Sequence, residues 1–297
     1  MPMRVSVIIS TYNSPEWLAY CLWGYATQAH RDFELIVADD GSSFETALVI
    51  QRLKRETHLP IRHVWQEHQG FGKCAILNKA ILAASADYLV FTDGDCIPRC
   101  DFLQKHVQLA SPGHFLSGGA VRLPMAVSRA VRPQDILDRQ ATEAKWLAAN
   151  GLPAGKKRWI LAAGQRLAWL CDRMTTTRAT FNGGNSSAWK ADVLRVNGCD
   201  ERMGYGGEDR ELGERLNNLG IRGNQIRHRA VCVHLEHERG YIDPDILVQN
   251  LAIRRETLRN RSTWTPCGIR KGYVSFEQYQ RDAAELAAQA TESRTAA

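Results

Sequence analysis

The 297 residues contain no apolar run as long as the about 20 residues that a membrane-spanning helix needs. The apolar start at residues 4–9 is also far too short for the core of a secretory signal. The expected location is therefore cytoplasmic, with peripheral attachment to the inner membrane face left open. The eight cysteines, at 21, 74, 96, 100, 171, 199, 232 and 267, include no C-x-x-C pair, and the chain is too long to need disulfide staples. They are read as buried thiols in a reducing compartment, not as a structural zinc site. Glycine is missing from residues 10–15, where a dinucleotide-binding turn requires it, and position 67, five before Gly72, is Glu67, which excludes a P-loop. There is no internal repeat, and the first low-complexity run is the Ala-rich tail after Leu286, which is expected to fray.

What is present is ordinary globular composition, 44% hydrophobic and 24% charged, in a length that suits one large α/β domain with attachments or two small ones. The first 95 residues repeat one grammar four times: a buried strand, a polar turn, a helix. Residues 4–10 form the first strand, and the turn at residues 11–15 starts a helix that runs to about Gln28. Residues 33–38 form the second, ending in Asp39-Asp40-Gly41-Ser42-Ser43, where serine caps the next helix. Asp40, if buried, has the acceptor geometry for the imide N–H of a uracil ring; the same residues also make a plain turn. Residues 61–65 form the third strand, before a glycine-bearing loop that includes Gln69 and Gly70. Lys73 then stands at a helix start, a position that favours phosphate.

The fourth strand, residues 88–92, runs straight into Asp93-Gly94-Asp95. Two carboxylates at i and i+2 beyond a parallel strand lie where open α/β sheets bind ligands. One can reach a divalent cation while the other meets a ribose hydroxyl, and Gly94 lets the backbone approach a diphosphate. A solvated acidic turn is the alternative. The four turns predict a mostly parallel sheet covered by helices, with its polar edge carrying Tyr12, Asn13, Asp40, Lys73, Asp93 and Asp95.

Further on, residues 101–110 read as a helix and residues 114–121 as one strand. Asn182, Gly183 and Gly184 precede a small-residue strand and suit a wall that a sugar ring can approach. Gly206-Gly207-Glu208-Asp209 opens a helix to about Asn218, where the acids either cap the helix or face a cleft as a proton acceptor. Residues 230–237 read as a strand with His234 and His237 near its end, candidates for a metal. Residues 126–180 hold ten basic and four acidic residues, so they carry the whole net charge of +6. With Trp146, Trp159 and Trp169 interleaved, they read as two helices, about 133–149 and 157–173, suited to an anionic lipid surface or a phosphate-bearing acceptor.

The order of these motifs resembles family 2 glycosyltransferases of the GT-A (nucleotide-diphospho-sugar transferase) fold, with a galactosyltransferase-type second half in Phe181-Asn182-Gly183-Gly184 and Gly206-Gly207-Glu208-Asp209. The resemblance spans roughly residues 4–240 and leaves out the basic segment and the C-terminal helices. It implies a nucleotide-sugar half over 1–110, an acceptor and catalytic half over 111–240 with the helical insert 126–180, and a helical extension over 241–297. It further implies that Thr11, Tyr12, Asn13, Asp40, Gln69, Gly70, Lys73, Asp93 and Gly94 hold the donor. Asp95 would hold Mn²⁺ or Mg²⁺ with His234 or His237, His234 favoured. Asp209 would be the base, Glu208 would bond donor or acceptor sugar, and Asn182, Gly183 and Gly184 would meet the acceptor. The implied activity is metal-dependent, inverting transfer from a nucleotide-sugar, UDP favoured, to a glycan or lipid-linked glycan, without nucleic acid. A sugar-nucleotide nucleotidyltransferase would need a glycine- and arginine-rich loop after the first strand, and residues 10–15 offer none. A non-catalytic binding module would leave so acidic a cleft unexplained.

Overall fold

The computed structural model describes residues 3–238 and 243–295, with side chains at all of these except 156, 157 and 286–295. The expected boundary at 240 and 241 lies outside the described residues. Strand and helix alternate through β1 (Val5–Thr11), α1 (Pro15–Ala26), β2 (Phe33–Asp39), α2 (Phe44–Thr57), β3 (Ile61–Trp65), α3 (Lys73–Ala83) and β4 (Tyr88–Asp93). These strands lie parallel in the order β3-β2-β1-β4, and their apolar residues are buried between helical layers. Fully buried parallel strands are near-continuous apolar runs, as residues 7–9 and 88–91 are, and the buried Ser6 before the first of these spends its hydroxyl on Glu34.

Next come β5 (Cys96–Pro98), α4 (Phe102–Leu109), β6 (His114–Ser117) and β7 (Gly119–Arg122). The single strand expected over 114–121 is thus two strands in different sheets. The chain divides at Gly118, where a Cβ would stand 2.1 Å from the Asn185 side chain, so the buried amide takes the space that a regular strand would need. Asn185 Nδ2 in turn donates to the Gly119 and Ala230 carbonyls, at 3.0 and 2.9 Å.

The basic segment folds as α5 (Met125–Ala130), α6 (Pro133–Leu137), a 3-10 turn (Gln140–Thr142), α7 (Ala144–Ala149), α8 (Lys156–Ala162) and α9 (Gln165–Met174). Gly151, at φ 95°, lies in the expected joint, but the first helix is also broken where Arg139 adopts φ of 64°, and the second where Ala163 and Gly164 take extended backbone with ψ of 122° and 161°. The segment is packed and not a detached hairpin. Val127, Val131, Ile136, Leu147 and Leu161 join Val231 and Val233 in one apolar cluster, and buried Asp172 pairs with His228 Nδ1 at 2.8 Å and Arg229 Nε at 2.7 Å.

The remainder is β8 (Ser186–Trp189), α10 (Lys190–Arg195), α11 (Glu208–Asn218), β9 (Arg222–Gln225), β10 (Val231–His234), α12 (Pro244–Arg259) and α13 (Phe276–Thr295). β8 joins β4 antiparallel, extending the large sheet to β3-β2-β1-β4-β8-β6-β9, while β5-β10-β7 form a small sheet at its edge. The tail expected to fray continues α13 to Thr295, in keeping with the high helix propensity of its alanines. Five of the eight cysteines are buried and all are free; Cys100, Cys171 and Cys267 are partly exposed.

Beneath the junction of the two sheets runs a buried polar chain. The Tyr88 hydroxyl, Ser187 Oγ and His106 Nδ1 follow one another at 2.8 Å each, and His106 Nε2 lies 3.0 Å from Asn185 Oδ1. With Asn185 Oδ1 able only to accept, the imidazole is neutral with its proton on Nε2.

Candidate active site

The carboxyl ends of β1, β2 and β4, the tip of α11 and the end of β10 surround one cleft of about 1100 Å³. Its wall includes Thr11, Tyr12, Asn13, Asp40, Gly70, Lys73, Asp93, Gly94, Asp95, Asn182, Gly183, Gly184, Glu208, Asp209, His234 and His237. Asp95 and Asp209, 114 positions apart in sequence, therefore face the same space.

On the donor side, Asn13 takes φ 44° so that its N–H donates to Ser42 Oγ (2.9 Å) and its Oδ1 accepts from Ser43 N–H (2.8 Å), locking the first turn to the second. Ser43 does not cap α2 through its side chain; its hydroxyl turns to Glu45 instead. Asp39 is buried and organises the turn, accepting from Ser42 N–H and His63, both at 2.8 Å. Asp40 points into the loop after β3, where it accepts from Gln66 Nε2 at 2.6 Å and Gly72 N–H at 2.7 Å. His68, in that loop, stacks on Tyr12 with ring centres 4.4 Å apart. Gln69 is exposed and does not form part of the cleft wall; Gln66 and His68, which no motif singles out, hold Asp40 and Tyr12 there.

Lys73 lies among three acids, Asp93, Glu208 and Asp209. Its Nζ is 2.8 Å from Asp93 Oδ1 and 3.8 Å from Glu208 Oε1. Burial pulls the ammonium's pKa down, but Asp93 and Glu208 outweigh it and hold Lys73 charged well above its ordinary range. Burial likewise pushes Asp93 up, and Lys73 with the Ser10 hydroxyl (2.8 Å) brings it below the usual carboxylate value. Glu208 ends above its ordinary value, because burial and neighbouring Asp209 outweigh Lys73. Its Oε2 accepts from Gly206 N–H at 3.0 Å.

The Asn182 amide is turned into its own loop, donating to the Gly118 and Asn185 carbonyls and accepting from two backbone N–H groups. The two glycines after it are the approachable part. A Cβ at Gly184 would stand 3.0 Å from Asp93 Oδ2, so a side chain there would press on the acid that the loop covers. Gly183 N–H donates to Asp209 Oδ2 at 3.0 Å, joining the loop to the tip of α11.

Asp95, His234 and His237 form the candidate metal centre, one ligand atom from each lying within 4.8 Å of the others. His237 Nε2 is 2.9 Å and His234 Nε2 3.5 Å from Asp95 Oδ2. One carboxylate with two imidazoles is a donor set for a divalent cation, and both histidines turn Nε2 toward the Asp95 carboxylate. The residues fit the ion, and both histidines are brought to it.

Two supports were not legible in the sequence. Asn250 on α12 is buried and donates to the carbonyls of Gly204, Tyr205 and Gly206, at 2.9, 3.2 and 3.1 Å, fixing the glycine-rich loop before α11. Arg254 pairs with Glu214 at 2.5 Å along the same helix pair and reaches the cleft. Neither belongs to a motif, and only the packing of α12 on α11 brings them in.

A mostly parallel sheet with an acidic pair at its carboxyl edge, a lysine beside it and a second acid from a later helix defines a glycosyltransferase of the GT-A fold. A mannosyltransferase from Pyrobaculum calidifontis, solved with GDP-Man and Mn²⁺, has that fold and superposes with a TM-score of 0.55 over 88% of this chain and 73% of its own, at 20% identity. Residues 6–148 match the family described as glycosyl transferase family 2, and residues 173–238 match the N-terminal domain of galactosyltransferase. The chain thus carries a family 2 glycosyltransferase domain followed by a galactosyltransferase-type one. Chondroitin synthase of Escherichia coli is 28% identical over 78% of this chain and 34% of its own length. Validoxylamine A glucosyltransferase of Streptomyces hygroscopicus subsp. limoneus is 30% identical over 79% of this chain and 52% of its own. The chain thus spans about a third to a half of these relatives. Among the described residues no helix is long and apolar enough to cross a membrane.

Proposed function

We propose that the chain moves a sugar, with inversion, from a nucleotide-sugar to a hydroxyl of a glycan or lipid-linked glycan in bacterial surface polysaccharide synthesis. The observation that carries this reading is the shared cleft of Asp95 and Asp209. Tyr12, Asn13 and Asp40 hold the nucleoside, with a UDP-sugar favoured because Asp40 keeps lone pairs for an imide N–H. Asp93 meets the ribose, and Lys73 compensates diphosphate charge. Asp95, His234 and His237 would hold Mn²⁺ or Mg²⁺, which when bound supplies further positive charge to the leaving group. Asp209 takes the proton of the attacking hydroxyl, and Gly183 N–H keeps its carboxylate aimed. Glu208 bonds the donor or acceptor sugar.

A manganese-dependent assay for nucleoside diphosphate release, run with UDP- and GDP-sugars and with and without acceptor glycans, tests the reading. Metal-dependent release that acceptor accelerates supports it. Formation of nucleoside triphosphate and sugar 1-phosphate from the nucleotide-sugar when pyrophosphate is supplied would instead support a nucleotidyltransferase, and binding without any turnover a non-catalytic module.

A second reading concerns attachment. On α9, Leu167, Leu170 and Met174 are exposed at i, i+3 and i+7 spacing, beside Arg166, Trp169 and Arg173, with the Arg173 guanidinium 5.2 Å from the Trp169 ring centre. An apolar stripe flanked by cations suits an anionic lipid surface. Vesicles rich in anionic lipid should retain the protein, and L170E with M174E should abolish retention; unchanged retention sinks the idea.

A further inference from the structure

The cleft, at about 1100 Å³, exceeds the about 300–1,000 Å³ of single-ligand pockets. Asp40, Asp93, Asp95, Glu208 and Asp209 gather round Lys73 and the candidate metal centre. The wall made by β7, by residues 177–180 and by the turn after β9 contributes no carboxylate and presents Arg178 and Arg227. Among the described residues neither guanidinium, Arg178 exposed and Arg227 half-buried, has an ion-pair partner, although both line the cleft that holds the acids. The Arg227 side chain is laid along Gly119, where an added Cβ would meet it at 3.3 Å, so its place is fixed by packing. Between the two, Gln225 Nε2 reaches the Thr177 carbonyl at 3.4 Å, while Gln225 Oε1 is buried with no partner. Two uncompensated guanidiniums beside an unsatisfied acceptor match a ligand that offers both an oxyanion and a hydroxyl. The donor diphosphate already has Lys73 and the metal centre to answer its charge, which leaves these two guanidiniums over.

We propose that this wall is the acceptor subsite and that it selects a glycan carrying an oxyanion, a carboxylate or phosphate ester, near the hydroxyl that receives the sugar. The proposal rests on the glycosyltransferase reading and deepens it by naming the acceptor's chemical class. The full chain is first titrated with UDP and with GDP in Mn²⁺. The loaded protein is then titrated with matched short glycans that differ only in carrying a carboxylate, a phosphate ester or neither. Anionic members should bind about tenfold or more tightly than neutral ones, as expected for one charge-assisted hydrogen-bonded pair. The R178Q/R227Q variant should lose that preference while keeping its nucleotide affinity and its far-ultraviolet spectrum. The carboxylate and phosphate arms identify which oxyanion is preferred. Equal affinity for neutral and anionic glycans, retention of no glycan, or a preference untouched by R178Q/R227Q overturns this proposal alone. Failure to bind either nucleotide overturns the glycosyltransferase reading and this inference with it.

Discussion

The two walls of the cleft are built by different means. The donor wall comes from consecutive strand-turn-helix units, so Thr11, Asp40, Lys73 and Asp93 each sit where a β-strand ends or a helix begins within one unit of chain. The acceptor wall is assembled from β7, from residues 177–184, from the tip of α11, from the turn after β9 and from α12, pieces that meet only after the chain has crossed between two sheets. A wall made of local turns is held by the sheet itself, whereas a wall made of distant segments depends on a few buried polar contacts between them. Damage to the first should change donor binding. Damage to the second should change turnover and stability while leaving the nucleotide in place.

The largest effect expected is at the junction of the walls. Asp209→Asn should lower turnover by about 10²–10⁴, the usual worth of a positioned general base, with nucleotide affinity changed little. Single-turnover kinetics beside equilibrium binding of UDP and Mn²⁺ would show this. If affinity fell in step with turnover, Asp209 would serve the loop through Gly183 N–H and not the chemistry.

Next in size is His106, under the joint. Burial outweighs its bond to Asn185 and brings its pKa from 6.5 down to about 4. The folded state therefore binds fewer protons than the unfolded chain, so the contribution is complete above about pH 6.5 and is lost as pH falls toward 4. It reaches roughly 3 kcal/mol over that interval. Urea unfolding at pH 7.5 and 4.5 should show a smaller acid loss in His106→Gln than in the parent. Equal losses would mean that other groups carry the acid sensitivity of this joint.

Asn250→Ala removes three donations to the loop before α11 and should cost about 1–3 kcal/mol, with turnover falling more than donor affinity. A loss confined to donor affinity would place the residues 204–206 loop on the wrong wall.

The difference between the walls also explains what the sequence disclosed. Apolar runs ending in Asp40 or Asp93 signal a buried strand and its ligand edge by themselves, because burial on both faces requires such runs. The pairing of Asp95 with Asp209 was legible through motif order, yet nothing local marks Asn250, Gln225 or Arg227, whose roles exist only through contacts far apart along the chain. The strand expected over 114–121 failed for the same reason: Asn185, about 67 positions on from Gly118, decides where it divides. Helix periodicity over 133–173 gave no warning of Arg139 turning left-handed.

The smallest effect expected lies within the donor wall, at two glutamines three residues apart. Gln69 was the expected donor contact, but its side chain is exposed, and Gln66 Nε2 donates to Asp40 Oδ1 at 2.6 Å and to the Gly72 carbonyl at 3.1 Å. Gln66→Ala removes a charge-assisted donor from a buried carboxylate, at about 1 kcal/mol, and should weaken UDP binding about fivefold without altering the effect of acceptor on turnover. Gln69→Ala should leave both within experimental error. The reverse ranking, measured by titration of each variant with UDP in Mn²⁺, would mean that the loop rearranges when the donor enters, and that the donor wall too is completed by more than its own turns.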